Sequence, residues 1–463
     1  MASVTARRAF DILAPKINDF SGFAPFSIGT ESDTAHIQFP YRTSCTFFGS
    51  GFNFDAFAGT DTWRGKVDHI EVGTQWVSLV DLHLDLAIIG DLLAAENPRG
   101  FWSYVFRGDD HIEGSKGNDH FDGFAGADVL HGGAGNDQLD GGTGTDTLLG
   151  GEGNDRYFID DSGEIPRDSL DSGTDTVYSR VSYVLGPQQE NLHLTGSKPL
   201  HGTGNRYANL LVGNDAANVL VGGDGNDRLD GRGGADHLVG GSGRDIYVVD
   251  HPGEISRSLA DPGIDNVQSS VSYTLGPYQE HLALRGVQDL AAIGNAHANT
   301  ITGNDGNNHI DGRGGADRLM GLAGDDILIG GVGNDTLDGG TGLDILSGGA
   351  GRDLYVLHAG PAAADIDVIR DFEGAGPVSF DLISLDHKAL DSSLAVGVLA
   401  ADVFESGAGL SAATTTAGRV IYDTTSGALY YDGDGVGGTY LVLHIATLQS
   451  APSALDATDF VVV

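Results

Sequence analysis

The stretch GGAGNDQLDGGTGTDTLLGGEGNDRYF, residues 132 to 158, holds three consecutive copies of one nine-residue phrase, G-G-x-G-x-D-x-U-x, in which U is a large apolar residue. Reading outward, the phrase continues on both sides. In a first block its sixth place is filled by Asp110, Asp119, Asp128, Asp137, Asp146 and Asp155, always nine apart. A second block has Asn209, Asn218, Asp227, Asp236 and Asp245, and a third has Asn299, Asn308, Asp317, Asp326, Asp335, Asp344 and Asp353. Eighteen units in three strict registers are the mark of a repeat architecture.

The blocks themselves repeat. Each ends on a tyrosine in the apolar place, Tyr157, Tyr247 and Tyr355, and the stretches that follow the first two, GTDTVYSRVSYVLGPQQENLHLTG and GIDNVQSSVSYTLGPYQEHLALRG, match at a spacing of 90 residues. From Tyr247 to Tyr355 the spacing is 108, longer by two nonapeptides. Growth by pairs of units predicts a solenoid whose coil contains two turns and two strands, since only a whole coil preserves stacking.

Glycines at the first, second and fourth places permit positive φ and close backbone approach, so the first six residues can wrap into a tight turn with inward carbonyls. The last three can only be a short strand, whose middle side chain faces one side. Ile112, Leu130, Leu139, Leu229, Leu337 and Leu346 should therefore line a narrow core. Carbonyls plus one carboxylate per turn, with no Cys or organised His, suit a hard cation of calcium size and disfavour zinc or copper. The expected ligand set is the fourteen sixth-place aspartates named above, together with the fourth-place glycines Gly117, Gly126, Gly135, Gly144, Gly153, Gly225, Gly234, Gly243, Gly315, Gly324, Gly333, Gly342 and Gly351.

Stacking such turns about 4.8 Å apart brings like charges together. Each pair repels by roughly 1 kcal/mol in water, or 3 to 4 at an effective dielectric of 20. About a dozen such contacts sum to roughly 10 kcal/mol or more, as much as the whole stability of a typical domain. The roll should therefore fold only with its ions, and affinities of about 0.1 to 1 mM, usual for extracellular modules, would leave it unfolded in the cytosol.

These motifs resemble those of the RTX (repeats-in-toxin) family of calcium-binding, type I secreted proteins, from residue 105 to the end. The resemblance implies an all-β fold, a right-handed parallel β-roll solenoid of calcium-binding nonapeptides with small N-terminal and C-terminal capping domains. It also implies that ions are shared between turns two units apart, such as Asp110 with Asp128, Asp119 with Asp137, or Asp128 with Asp146. That pairing offers twelve inter-turn sites, eight of them with two aspartates, so about eight to twelve Ca2+ ions. The sites led by Asn209, Asn218, Asn299 and Asn308 should be weaker or empty. The tail, with DVIRDFEGAG, FDLISLDH, RVIYDTTSGALYYDGDG and ALDATDFVVV, resembles a serralysin-like cap ending in a type I secretion signal.

Composition narrows the function. A formal net charge of -40 from 65 acidic against 25 basic residues argues against nucleic acid as a partner, because binding there needs a basic patch. Disorder, the usual companion of such charge and of 72 glycines, is opposed by the 40% of hydrophobic residues recurring at fixed spacing. Cys45 is the only cysteine, so no intramolecular disulfide can form, and it reads as a buried small apolar residue. Near the N-terminus Asp11, Lys16 and Asp19 interrupt any apolar run of signal-peptide type. The most apolar stretch, VSLVDLHLDLAIIGDLLAA, contains Asp81, Asp85 and Asp91; it reads as a strand followed by a short helix, and no transmembrane segment is expected.

Other candidate sites have plainer readings. His111, His120, His237 and His309 fall in equivalent slots after the sixth place and read as solvated strand positions, for neither H-E-x-x-H nor a tight histidine cluster occurs. The serine elbow G-x-S-x-G is absent, so the catalytic modules of serralysin, lipase and mannuronan epimerase relatives find no counterpart here. Asp432 and Asp434 read as a hairpin turn, the tyrosines before them as core, and Tyr157, Tyr247 and Tyr355 as plugs ending each block. Trp63, Trp76 and Trp102 belong to a stretch without a recognisable motif.

The expected organisation is an N-terminal domain of unknown role, β-rich with a short helix (1–104), RTX block 1 (105–158), a strand-rich connector (159–203), block 2 (204–248), a second connector (249–293), block 3 (294–356) and a C-terminal cap with the secretion signal (357–463). The expected function is non-catalytic calcium binding by a secreted or cell-surface structural protein that can self-assemble, with calcium and a type I exporter, engaged through the C-terminus, as partners. An adhesin or enzyme active through residues 1–104 is the rival. A pore-forming toxin is disfavoured by the lack of long apolar helices.

Overall fold

A turn of six residues and a strand of three, alternating, place one strand on each of two sheets for every eighteen residues of chain, and parallel pairing between successive coils follows from that period. The computed structural model describes the backbone of seven short strands between residues 2 and 85 and then residues 108–463, apart from 115, 168–172, 258–262, 359–365, 375–380, 387–393, 439–440, 451 and 453–454. The chain divides into two compact units, Met1–Gly225 and Asn226–Val463, the division falling inside the second block. Each contains a β-roll. Among the described residues the only helical elements are two short 3-10 turns, Gly435–Gly437 and Ala457–Asp459.

In the first unit, strands Asp110–Glu113, Val129–Ala134, Thr147–Glu152 and Ile165–Arg167 pair in parallel, eighteen residues apart, and Ile112, Leu130 and Leu148 align along them. The facing sheet aligns Phe121, Leu139, Tyr157, Val177, Leu192 and Leu211. All of these side chains are fully buried. The stretch expected as a connector therefore supplies further coils of the same roll. Its steps are irregular, Tyr157 to Val177, then Leu192, then Leu211, because register is set by the apolar residue on each strand while turn length is free to vary.

The second unit repeats the pattern. Tyr247, Val267, Leu282 and Ile301 align with the same spacings, followed by Leu319, Leu337, Tyr355 and Ile383. Ile310, Leu328, Leu346 and Ile369 form the opposite row. The C-terminal residues finish this roll: Leu443–Leu448 pairs in parallel with Asp367–Ile369, and Phe460–Val462 with Leu382–Leu385. Outside them lies an antiparallel meander of Val420–Asp423, Ala428–Tyr431 and Leu443–Leu448. Asp432 and Asp434 lie in the connection between its last two strands. That connection spans eleven residues and includes the 3-10 turn, so it is looser than the hairpin expected from sequence. Of the tyrosine pair before it, Tyr431 is buried, whereas Tyr430 is half-exposed and lies against the ring of His444.

Residues 34–38, 44–54, 62–72 and 75–77 form an antiparallel sheet by their backbone, with 83–85 also paired to 62–72. The short helix expected after residue 85 and Trp102 lie outside the described residues, as do the side-chain surroundings of Cys45, Trp63 and Trp76.

The glycines divide their work differently from the sequence expectation. Second- and fourth-place glycines, such as Gly133 and Gly135 (φ 109° and 114°), occupy the left-handed region; first-place glycines such as Gly132 do not. Four second places hold another residue and keep positive φ: Phe124, Arg232, Arg313 and Leu322. Leu322, at φ 87°, is also exposed, so its side chain gains little for the strain. Leu322→Gly should raise the melting temperature of the calcium-loaded protein, by a stabilisation of about 1 kcal/mol. An unchanged or lower Tm would contradict this account of the turn.

Candidate metal centre

The sixth-place aspartates are almost fully buried, and each uses its two oxygens differently. One oxygen accepts a backbone N–H from the coil before. Asp128 Oδ1 accepts from Asp110 and Asp146 Oδ1 from Asp128, both at 2.7 Å, and in the other row Asp137 accepts from Asp119 and Asp155 from Asp137 at 2.7 Å. In the second unit Asp245 accepts from Asp227, Asp317 from Asn299, Asp335 from Asp317 and Asp353 from Asp335 (2.7 to 2.9 Å). Aspartates eighteen residues apart are thus tied by an N–H to carboxylate bond, a link that the ion-sharing expectation did not foresee.

In seven of them the other oxygen has no donor. The Oδ2 atoms of Asp128, Asp137, Asp146, Asp317, Asp326, Asp335 and Asp353 are buried without a hydrogen-bond partner. Five of them share their space with a carbonyl. A Cβ built on Gly132 would lie closer than 3.0 Å to both Asp137 Oδ2 and the carbonyl oxygen of Gly150 on the next coil. Gly123 meets Asp128 and Gly141 in the same way, Gly312 meets Asp317 and Gly330, Gly321 meets Asp326 and Gly339, and Gly330 meets Asp335 and Gly348. First-place glycine is therefore required by a cradle of oxygens that a methyl group would fill.

Buried acceptors that face one another without a proton between them are unfavourable unless a cation joins them. A carboxylate oxygen and carbonyls form a hard, flexible donor set of the kind that calcium takes. Among the described residues no group of three or more His, Cys, Asp or Glu side chains could hold a metal, so each centre would draw on one or two carboxylates and on backbone oxygens. His111, His120 and His237 are half-buried and His309 is exposed on the strands; His120 meets Gln138 at 2.9 Å.

Both carboxylate rows run on past the blocks into residues that the nonapeptide pattern does not reach. Asp155 N–H donates to Asp175 at 2.8 Å, and Asp175 N–H to Glu190 at 2.8 Å. In the second unit Asp245 donates to Asp265 and Asp265 to Glu280, while Asp353 donates to Asp381 and Asp344 to Asp367. The matched pairs Asp175/Asp265 and Glu190/Glu280 were visible in the 90-residue repeat. Their irregular spacing hid their role.

The asparagine units are built otherwise. Asn209 Oδ1 accepts from Asn205 N–H at 2.7 Å, and Asn299 Oδ1 from Asn295 N–H at 2.8 Å, bonds within their own turns. Their Nδ2 groups donate to carbonyls of the coil behind, Asn209 to Gln189 and Glu190, Asn299 to Gln279 and Glu280. Asn205 and Asn295 add donations to Gly186 and Gln189, and to Gly276 and Gln279. Amide hydrogens here meet the oxygens that elsewhere are left to a cation. Tyr157, Tyr247 and Tyr355 are wholly buried at the block ends, each hydroxyl accepting a first-place glycine N–H (Gly150, Gly240, Gly348).

Burial pushes the Asp128 carboxyl up to about 8, opposed by its bond from Asp110 and reinforced by the charges of Asp146 and Asp110. For the same reasons Asp137, Asp317, Asp326 and Asp353 rise to about 7.

The model for the RTX calcium-binding nonapeptide repeat (4 copies) matches residues 104–139, 122–157, 212–247, 293–328 and 320–355. A comparison with curated proteins returns no match. Among solved structures the chain is similar to the AlgE6R3 subunit of the Azotobacter vinelandii mannuronan C5-epimerase, at 26% identity over 38% of this chain and 84% of that one, with a TM-score of 0.16. It is also similar to the extracellular lipase LipA of Serratia marcescens, at 17% identity over 64% of this chain and 45% of the lipase, with a TM-score of 0.15.

A carboxyl whose pKa is higher folded than unfolded favours the folded form below its ordinary value of 3.8, and loses that favour as pH rises through its folded value. In calcium-free buffer, β-structure measured by circular dichroism should therefore be greater at about pH 5.5 than at about pH 8.5. The reverse order would show that these carboxyls do not oppose folding.

Proposed function

We propose that this chain, an RTX protein by its calcium-binding repeats, is exported unfolded, takes up calcium outside the cell, folds on doing so, and serves there without catalysis as a structural protein of the cell surface or matrix. The observation that carries this reading is the double row of buried carboxylate oxygens without donors, five of them, on Asp128, Asp137, Asp317, Asp326 and Asp335, against a backbone carbonyl of the next coil. These oxygens, brought together only by folding, tie the stability of the roll to the ion supply.

The C-terminal residues support the export step. Phe460 and Val462, in the segment read as a type I signal, are buried in a strand of the second unit. An exporter could engage them only before the roll forms, so a chain held open at low calcium keeps its signal legible. No helix among the described residues is long and apolar enough to cross a membrane. The non-catalytic reading rests on the side chains that repeat most, for the buried carboxylates are committed to the turns. Self-association is the means by which a roll of this kind would build a layer.

Far-UV circular dichroism with light scattering, on the full chain in chelator and then in millimolar calcium, tests the proposal. A gain of β-structure followed by growth of ordered assemblies is expected, and the same ordered spectrum in both conditions would refute it. Asp137→Ala and Asp335→Ala should each reduce the calcium bound and raise the concentration needed for half-folding. Unchanged uptake in both would remove these turns from the site.

A further inference from the structure

Two turns that close blocks one and two carry a glutamate where a regular unit carries aspartate. In DDSGE (160–164) the pairing of Thr147 with Ile165 and Leu148 with Pro166 sets Glu164 one coil beyond Asp146. In DHPGE (250–254) the pairing of His237 with Ile255 sets Glu254 one coil beyond Asp236. Gly163 sits directly over Thr145, and Gly253 over Ala235, so each turn is seated on the coil before it.

Both glutamates wrap their turns as the asparagines do. Glu164 Oε2 accepts from Asp160 N–H at 3.1 Å, and Glu254 Oε2 from Asp250 and His251 N–H at 2.7 and 3.0 Å, just as Asn209 and Asn299 accept from the residue four before. The remaining atom of the side chain distinguishes them. In the asparagine it is an amide nitrogen that donates to the coil behind. In the glutamates it is Oε1, an acceptor, buried in both turns without any donor, on side chains only 6% and 8% exposed. One coil behind Glu164, Asp146 Oδ2 is buried and equally without a donor.

Acceptors on stacked coils, with no hydrogen to join them, call for a positive charge, and two carboxylates match a divalent one. We infer that Glu164 and Glu254 are ligands of two further calcium-class sites that close blocks one and two, Glu164 acting with Asp146, Glu254 with Asp236, and backbone carbonyls completing each. This rests on the calcium reading of the roll and extends it to turns outside the nonapeptide pattern. A proton shared by the facing carboxyls would meet the same need, and counting ions separates the two.

Calcium bound at saturation is counted on the full chain by native mass spectrometry. Glu164→Gln supplies the amide donor that the asparagine turns use, and should bind one ion fewer than the parent; Glu164→Gln with Glu254→Gln should bind two fewer. Glu164→Asp, the residue of the regular units, should keep the parent count. An unchanged count in the glutamine variants overturns the assignment while leaving the roll reading intact. A count in Glu164→Asp as low as in Glu164→Gln also overturns it, since the loss would then follow the change of shape and not of charge. A parent that binds no calcium overturns both readings.

Discussion

The bond between a backbone N–H and the carboxylate of the next coil governs this protein. At Asp128, Asp137, Asp317, Asp326 and Asp335 it leaves one carboxylate oxygen satisfied and the other buried against a carbonyl. The same contact thus aligns successive coils and creates the repulsion that opposes their stacking. Burial first, and then the charges of Asp146 and Asp110 one coil away, push the Asp128 carboxyl above its ordinary range. On the proposed reading a cation resolves the conflict without disturbing the N–H bond, and order and ion occupancy become two descriptions of one equilibrium.

Asparagine resolves the same conflict covalently. At Asn209 and Asn299 the side-chain amide donates to carbonyls of the coil behind, where the regular units present a carboxylate oxygen. The roll is accordingly a mosaic of turns that bury a carboxylate oxygen without a donor and turns that carry their own donor. The difference between the two residues is a single group, NH2 for O, yet it reverses the polarity of the buried atom. Turns of the second kind follow the irregular coils, where Gln189 and Gln279 offer carbonyls at the right place.

The irregular coils show how tolerant the architecture is. Val177, Leu192 and Leu211 fall on one sheet although the chain between them varies in length, since only the buried side chain must be in register. The carboxylate row survives the same irregularity by changing residue, from Asp155 to Asp175 to Glu190, with the longer side chain where the step is shorter.

From the sequence alone followed the coil of two turns and two strands, the burial of Ile112, Leu130, Leu139 and their equivalents and of the tyrosines at the block ends, and the hard-cation chemistry of the turns. All of these depend on periods of nine and eighteen, which sequence displays directly. Only the tertiary structure decided what the two oxygens of these aspartates do, why first-place glycine is needed although its φ is ordinary, and that Asp175, Glu190 and their repeats continue the carboxylate row. Those facts depend on which atoms of neighbouring coils meet. Contacts made across irregular spacings leave no periodic trace in the chain.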